Sequence, residues 1–502
     1  MTRIRIVLAV LALILAVAAT AGAQGVLRIG LNDDPDAIDP TISRAYVGRL
    51  VFAAVCDKLF DVTPDLRIVP QLATAHEWGS DYRSLLIKLR PGVKFHDGEP
   101  LNGEAVKFNI ERHLTTPGSF RKSEIGEIKT VEVVNDLTVR LHLSQPLVPL
   151  LAALTDRAGM MVSPKAAREL GDRFGTRPVC AGPFKFVERV AQGKIVFERF
   201  ADYWDKSNIH LDRVEFVPIL DSTARSASLR SGDLQMMERV SPADLEQLRA
   251  DSRLKITGVP ELGYQVIRLN VNNGPRGKLL GADVRLRQAI DLAIDRETLV
   301  KAVFNNEYIP GNQWVSPSHP YYNAKFPVRK RDVARARQLL REAGQPNLTF
   351  TLILPPERDR QEAAQVIQAM LSEAGITMNL QTQENVTMLQ SGKKGDFEAY
   401  FTFWSGRPDP DGNAYTHFVC EGAQNDSHHC NKDLDALLLK ARQVADPRER
   451  KKLYDQGIEL VLRDAPALML WHRRVFTGLS VKVQGFTPHP DGIIRLRGLK
   501  LS

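Results

Sequence analysis

The sequence predicts an α/β protein built on more than one sheet, and two observations carry that expectation. Residues 348–354, 361–374 and 376–380 read as strand, helix and strand at βαβ spacing, which implies parallel pairing within a mixed sheet. The chain has 502 residues, 43% of them hydrophobic. That is too long for one ordinary core, and two or three domains are expected.

Taken in order, residues 26–31 roughly alternate and predict a strand ending in the polar loop Asn32-Asp33-Asp34-Pro35. Residues 85–90 predict another strand. After the turn at Pro91-Gly92, residues 93–98 predict its hairpin partner, closed by Asp97-Gly98. Val106, Phe108, Ile110 and Leu114 give residues 104–114 helical spacing. Residues 284–293 predict a helix; Asp295 caps a second one reaching Phe304, with Arg296 as a solvated charge. Residues 332–343 form a helix stopped by Gly344, and Gly375 stops the 361–374 helix. Leu348, Phe350, Leu352 and Leu354 share one strand face, residues 399–403 read as a strand, and residues 434–444 and 449–463 as amphipathic helices.

Export is predicted by the first residues. Arg3 and Arg5 precede an apolar run over residues 6–19 and a small-residue site at Ala21-Gly22-Ala23, the pattern of a signal peptide covering residues 1–23. No cysteine lies at the cleavage site for lipid anchoring, so a soluble, periplasmic product is expected. The formal charge of +8 is spread along the chain without basic runs, which gives nucleic-acid binding little support. Of the four cysteines, Cys420 and Cys430 flank a short polar loop and predict a disulfide; Cys56 and Cys180 are either a second bridge or two buried thiols. The nearby His417, His428 and His429 lack Cys-x-x-Cys or His-x-x-x-His spacing, so no metal is assigned, and no cofactor.

The order of short motifs resembles the family 5 extracellular solute-binding proteins of ABC transporters, the dipeptide, oligopeptide and nickel receptor group. The likeness runs from Asp39-Pro40 through Cys56-Asp-Lys-Leu-Phe60 and Leu89-Arg-Pro-Gly-Val-Lys-Phe-His-Asp-Gly-Glu-Pro100 to Ala181-Gly-Pro-Phe184. It continues through Asp202-Tyr-Trp204, Asp283-Val-Arg-Leu-Arg-Gln-Ala-Ile290 and residues 334–344. The resemblance implies a two-lobed periplasmic binding protein fold, type II-like and of cluster C, with mixed sheets. Lobe I would comprise residues 24–268 and 477–502, with an extra subdomain at about 56–180; lobe II would comprise 269–476. Hinge strands are expected at 265–272 and 469–477. Implied too are a monomeric receptor rather than an enzyme, a peptide-like ligand, and partners in the permease subunits and cytoplasmic ATPase of an importer.

The loop Phe403-Trp-Ser-Gly-Arg-Pro-Asp-Pro-Asp-Gly-Asn413 follows a strand, where α/β proteins place ligands. Trp404, Ser405, Gly406, Arg407 and Asp409 are therefore candidate ligand contacts. By resemblance, the position of Arg407 carries an aspartate that receives a ligand ammonium. A guanidinium would instead grip a carboxylate or phosphate; alternatively Arg407 pairs with Asp409 or Asp411 and shapes the loop. Asn385 stands where dipeptide-binding members tend to carry tryptophan. Arg358 and Arg360 are alternative carboxylate anchors, and Tyr46 and Trp314 candidate stacking residues. An exported hydrolase is the rival class, although Gly-x-Ser-x-Gly and His-Glu-x-x-His are both absent.

Overall fold

The computed structural model describes residues 25–502; the signal-peptide reading lies outside them. Two mixed sheets organise the chain. In the first, Val26–Leu31 pairs in parallel with Arg213–Pro218 and Met236–Met237. These strands belong to a seven-stranded sheet that also contains Leu254–Pro260 and Arg474–Ser480. Leu27, Ile29 and Leu31 are fully buried, packed in one core with the apolar residues of helix Tyr46–Val55.

The second sheet has six strands, in the order 309–310, 467–472, 264–269, 399–404, 349–354 and 377–382. The predicted βαβ unit sits at its edge: Thr349–Leu354 and Thr377–Thr382 pair in parallel, joined by helix Arg358–Ser372. Ala363, Ala364, Ile367, Met370 and Leu371 are buried at the spacing of a single helical stripe. Asp295 caps its helix by accepting from Thr298 N. Arg296, however, is not a solvated charge. It is 2% exposed, with Nε donating to the Met469 carbonyl and Nη2 paired with Asp291.

A third, four-stranded antiparallel sheet, Ala73–Trp78, Ser84–Leu89, Thr138–Leu143 and Ile128–Asn135, carries its own core under helix Gly103–Thr115. The hairpin expected from residues 93–98 does not form. Both edges of Ser84–Leu89 are already taken, by Ala73–Trp78 and Thr138–Leu143. Residues 93–98 instead close a loop through Phe95 N to Glu99 O, and their alternation reflects Val93 and Phe95 turning into the core. This subdomain leaves and re-enters its lobe at a disulfide. Cys56 and Cys180 are bonded, their Cα atoms 4.9 Å apart across a sequence separation of 124. Cys420 and Cys430 are bonded as predicted, with Cα atoms 4.4 Å apart, so their sulfurs are committed to each other.

The lobes join at two adjacent crossings, Glu261–Gly263 and Arg473, tied by Glu261 N donating to Arg473 O at 2.9 Å. These crossings move the expected boundaries. Tyr264–Leu269 lies wholly in the six-stranded sheet and Arg474–Ser480 wholly in the seven-stranded one, so the changes of lobe fall just before Tyr264 and at Arg473, not at 268/269 and 476/477. Both stretches are rich in apolar residues, and the pattern alone does not mark where the chain changes sheets.

Closing a loop of this length constrains the unfolded chain more than closing a short one. Replacing both Cys56 and Cys180 by Ser should cost about 4–5 kcal/mol of stability, and replacing Cys420 and Cys430 about 3 kcal/mol. Denaturant titration of the two double variants would show this order, and an equal or reversed order would contradict it.

Candidate functional site

The cleft between the lobes holds two adjoining cavities. One, of about 60 Å³, is walled by Arg44, Tyr46 and Arg157 from the first lobe and by Arg268, Thr402, Phe403 and His417 from the second. The other, of about 320 Å³, is walled by Arg225, Arg239 and Ser241 on one side, Pro355, Pro356 and Asp359 on the other, and Arg473 at the crossing. The cavities share Asn32, Asp33, Glu357 and Asn385, where a strand-end loop of each lobe meets the other.

Phe403, at the end of strand Ala399–Trp404, is the centre of the cleft. The guanidinium of Arg239 lies 4.4 Å from its ring centroid, that of Arg360 at 5.1 Å and that of Arg473 at 5.4 Å; Tyr46 meets it edge-on at 6.1 Å. An aromatic face favours cations, so one ring gathers three. Their counter-charges differ. Arg239 pairs with Glu261 at 3.0 Å and lies 3.5 Å from Glu238. Arg360, fully buried, lies 3.0 Å from Glu357 but makes no aligned hydrogen bond from any of its nitrogens; burial lowers it to about 10, leaving it cationic at neutral pH. Arg473 is 6% exposed, and among the described residues its guanidinium has neither ion pair nor hydrogen-bond partner.

Carboxylates line the seam between the cavities. Burial pushes Asp33 up to about 6, and the nearby Glu357 adds to that; Asn385 Nδ2 donates to it at 3.2 Å. Burial also pushes Glu357 upward, but Arg360 and Arg473 outweigh it and hold the carboxyl below its ordinary value.

Of the sequence-predicted residues, Tyr46, Asn385, Trp404 and Ser405 line the small cavity. Arg360 reaches the cleft through Phe403, whereas Arg358 stands at the rim of the larger cavity, half exposed and paired with Glu362 at 2.8 Å. Trp314 is not a stacking platform: it is buried in the second lobe against Phe418 and Tyr454. Asp409 is held by both terminal nitrogens of Arg450, at 2.9 and 2.8 Å. Gly406, at φ +78°, packs its backbone onto the crossing, where a Cβ would collide with Leu262; at Gly263 a Cβ would strike the Trp404 carbonyl. Sequence reasoning missed Arg239, Arg268 and Arg473. Arg268 alone carried a signal, a single arginine within a largely apolar strand; Arg239 follows Glu238, and Arg473 stands between His472 and Arg474.

Arg407 follows neither expectation. It does not line either cavity, and it pairs with neither Asp409 nor Asp411, which belong to Arg450 and Arg442. Its guanidinium stacks 4.4 Å over Trp404 and its Nε meets Asp156 of the subdomain at 2.9 Å, across the lobe interface. Asp156 also receives Arg49 at 3.1 Å, and Arg49 donates to Ser405 Oγ at 3.1 Å. Burial opposes the Asp156 charge, but Arg407, Arg49 and Arg157 together hold it well below the usual carboxylate range. Arg44 bridges the lobes in the same way, to Asp426 at 3.0 Å and Gln424 at 3.1 Å.

Residues 67–426 match the bacterial extracellular solute-binding proteins, family 5 Middle. The chain is similar to the glutathione-binding protein GsiB of Pectobacterium atrosepticum, 27% identical over 485 residues covering 93% of this chain and 92% of the relative. Its fold is similar to that of the ABC transporter-associated periplasmic binding protein DppA from Helicobacter pylori in complex with the peptide STSA: TM-score 0.88, 26% identity, 95% of this chain and 98% of that one. It is also similar to the periplasmic binding protein AgaA from A. tumefaciens R10 in complex with agropinic acid: TM-score 0.87, 25% identity, 95% and 99% covered. Among the described residues no helix is long and apolar enough to cross a membrane.

Arg407→Ala should leave the first lobe intact, because Arg49 still pairs with Asp156 at 3.1 Å. It removes a desolvated pair between the lobes, worth on the order of 2–5 kcal/mol. The expected outcome is a larger radius of gyration for the unliganded variant in solution scattering and faster solute release. An unchanged scattering profile and release rate would reduce Arg407 to loop packing.

Proposed function

Because the chain belongs to the bacterial extracellular solute-binding proteins of family 5, we propose that it captures a peptide-like, carboxylate-bearing solute by closing its two lobes and hands it to an ABC importer. The family supplies the substrate-binding component of such importers, which act with permease and ATPase subunits. The protein works in the periplasm as a monomer and not as an enzyme. The exported-hydrolase alternative finds no support, since the relatives and neighbours above are named as binding proteins.

Arg473 carries the carboxylate assignment. Burying a guanidinium with no direct ion pair or hydrogen bond costs free energy, and this one, whose charge Glu357 and Asp359 feel only at longer range, faces the larger cavity from the crossing itself. A ligand carboxylate seated there completes the pair, and it does so only when the lobes are together. Peptide-like character is supported by relatives named for glutathione or solved with a peptide. The acids at the seam add a receptor for an ammonium.

Mass spectrometry of solute co-purifying with the mature protein, followed by calorimetry, tests this. Arg473→Gln should weaken binding by about 30-fold to several thousand-fold, and equal affinities would remove the main support.

Asp33 makes a separate prediction. Its raised pKa means that it is neutral below about 6 and ionised above. Glu357, Arg360, Asn385 and the Asp34 backbone surround it. An ammonium prefers the ionised form, so affinity should fall as pH drops through that value, with proton release on binding. Asp33→Asn should flatten this dependence; an unchanged slope would mean that Asp33 does not face the ligand's cation.

A further inference from the structure

The small cavity has an electrostatic imbalance of its own. Arg268, on strand Tyr264–Leu269, is 4% exposed and has no carboxylate within ion-pair distance among the described residues. Its Nη2 donates to His417 Nδ1 at 2.8 Å. A guanidinium can only donate, so Nδ1 is the acceptor and the imidazole is neutral; the positive charge stays uncompensated. Arg157 faces the same cavity from the other lobe, 2% exposed. Its Nη1 is held by the Ser43 carbonyl, its Nε has no partner, and its nearest carboxylate, Asp156, is 4.0 Å away and shared with Arg49 and Arg407. Arg44 is the one arginine of this wall that is neutralised, by Asp426.

About 60 Å³ admits a group of a few heavy atoms. Around it, in sequence through the cleft, stand Arg268 and Arg157, then Asp33 and Glu357 at the seam, then Arg473 beyond. We propose that the small cavity is a second anion subsite, which takes the α-carboxylate of an amino-acid head group. The ammonium of that head group lies against Asp33 and Glu357. The remainder of the solute runs through the larger cavity and ends in a second carboxylate at Arg473. The solute class is an amino acid extended through its side chain to another acid. This assignment rests on the receptor reading above and deepens it.

Three probes dissect the subsites by calorimetry on the full mature protein. γ-Glutamylglycine carries both carboxylates and the ammonium, γ-aminobutyrylglycine lacks only the α-carboxylate, and γ-glutamylglycinamide lacks only the distal one. The wild type should bind the first about 30-fold or more tighter than the second. Arg268→Gln, checked for fold by circular dichroism, should bring that ratio toward one while keeping the preference for the free distal acid. Arg473→Gln should do the reverse. Three results would overturn the subsite: a wild-type ratio near one, a ratio unchanged in Arg268→Gln, or no binding of any probe. Sulfate alone raising the melting temperature as much as γ-glutamylglycine would overturn it too, by leaving only an inorganic-ion pocket. If instead both discriminations survive in Arg473→Gln, the carboxylate reading of the larger cavity fails and this subsite stands. The comparison of γ-glutamylglycine with γ-aminobutyrylglycine on unmodified protein holds even if a variant does not fold.

Discussion

Two short stretches of backbone, Glu261–Gly263 and Arg473, connect the two large sheets, and they lie side by side. Glu261 N bonds to Arg473 O, and His472 Nδ1 sits 2.7 Å from the Gly263 carbonyl. Two residues with no side chain, Gly263 and Gly406, let the Trp404–Gly406 loop come down directly onto this seam. Phe403 is thereby fixed next to the crossing, and the arginines that gather on its ring are fixed with it. A shift of the crossing by one residue would exchange inward and outward faces on both adjoining strands. The cleft chemistry follows from where the chain changes sheets.

The cleft then has to solve a charge problem. Buried arginines outnumber the carboxylates that touch them, and some carboxylates are used more than once. Asp156 serves Arg49 and Arg407 at close range, Asp426 serves Arg44 while accepting from Tyr400 OH at 2.7 Å, and Glu261 serves Arg239. Those pairs cross the interface or brace the crossing and are complete without solute. Arg157, Arg268 and Arg473 are left without a close pair of their own. A closed cleft in which most charges are matched internally is selective through the few that are not.

Much of the architecture was legible because it rests on local rules. The cap at Asp295 and the buried stripe of Arg358–Ser372 follow from spacing and side-chain chemistry within a few residues. The site was legible only in part. Trp404 and Ser405 were readable as aromatic and polar residues at a strand end and its loop, and Tyr46 and Asn385, which open helices, from their side-chain type and the family resemblance. Arg407 was not, because its partner Asp156 lies in another lobe and no local pattern relates them. Trp314 was misread because aromatic character does not distinguish packing from stacking. Arg268 was hidden inside a largely apolar run whose periodicity reported a strand, and Arg473 stands beside Arg474 between two strands, where sequence does not say which of the two faces the cleft. Residues 93–98 show the complementary failure: a strand-like pattern cannot form a ladder when both neighbouring edges are already paired.

The subdomain departs from its lobe and returns to it at a single point, with Cys56 and Cys180 joining the two ends. Topologically it is an insertion, yet it holds Asp156 and Arg157, which reach the opposite lobe and the small cavity. The bond between Cys56 and Cys180 thus closes off the insertion that carries one half of an interlobe ion pair, and a covalent link remote from the cleft helps to fix where Asp156 stands for Arg407.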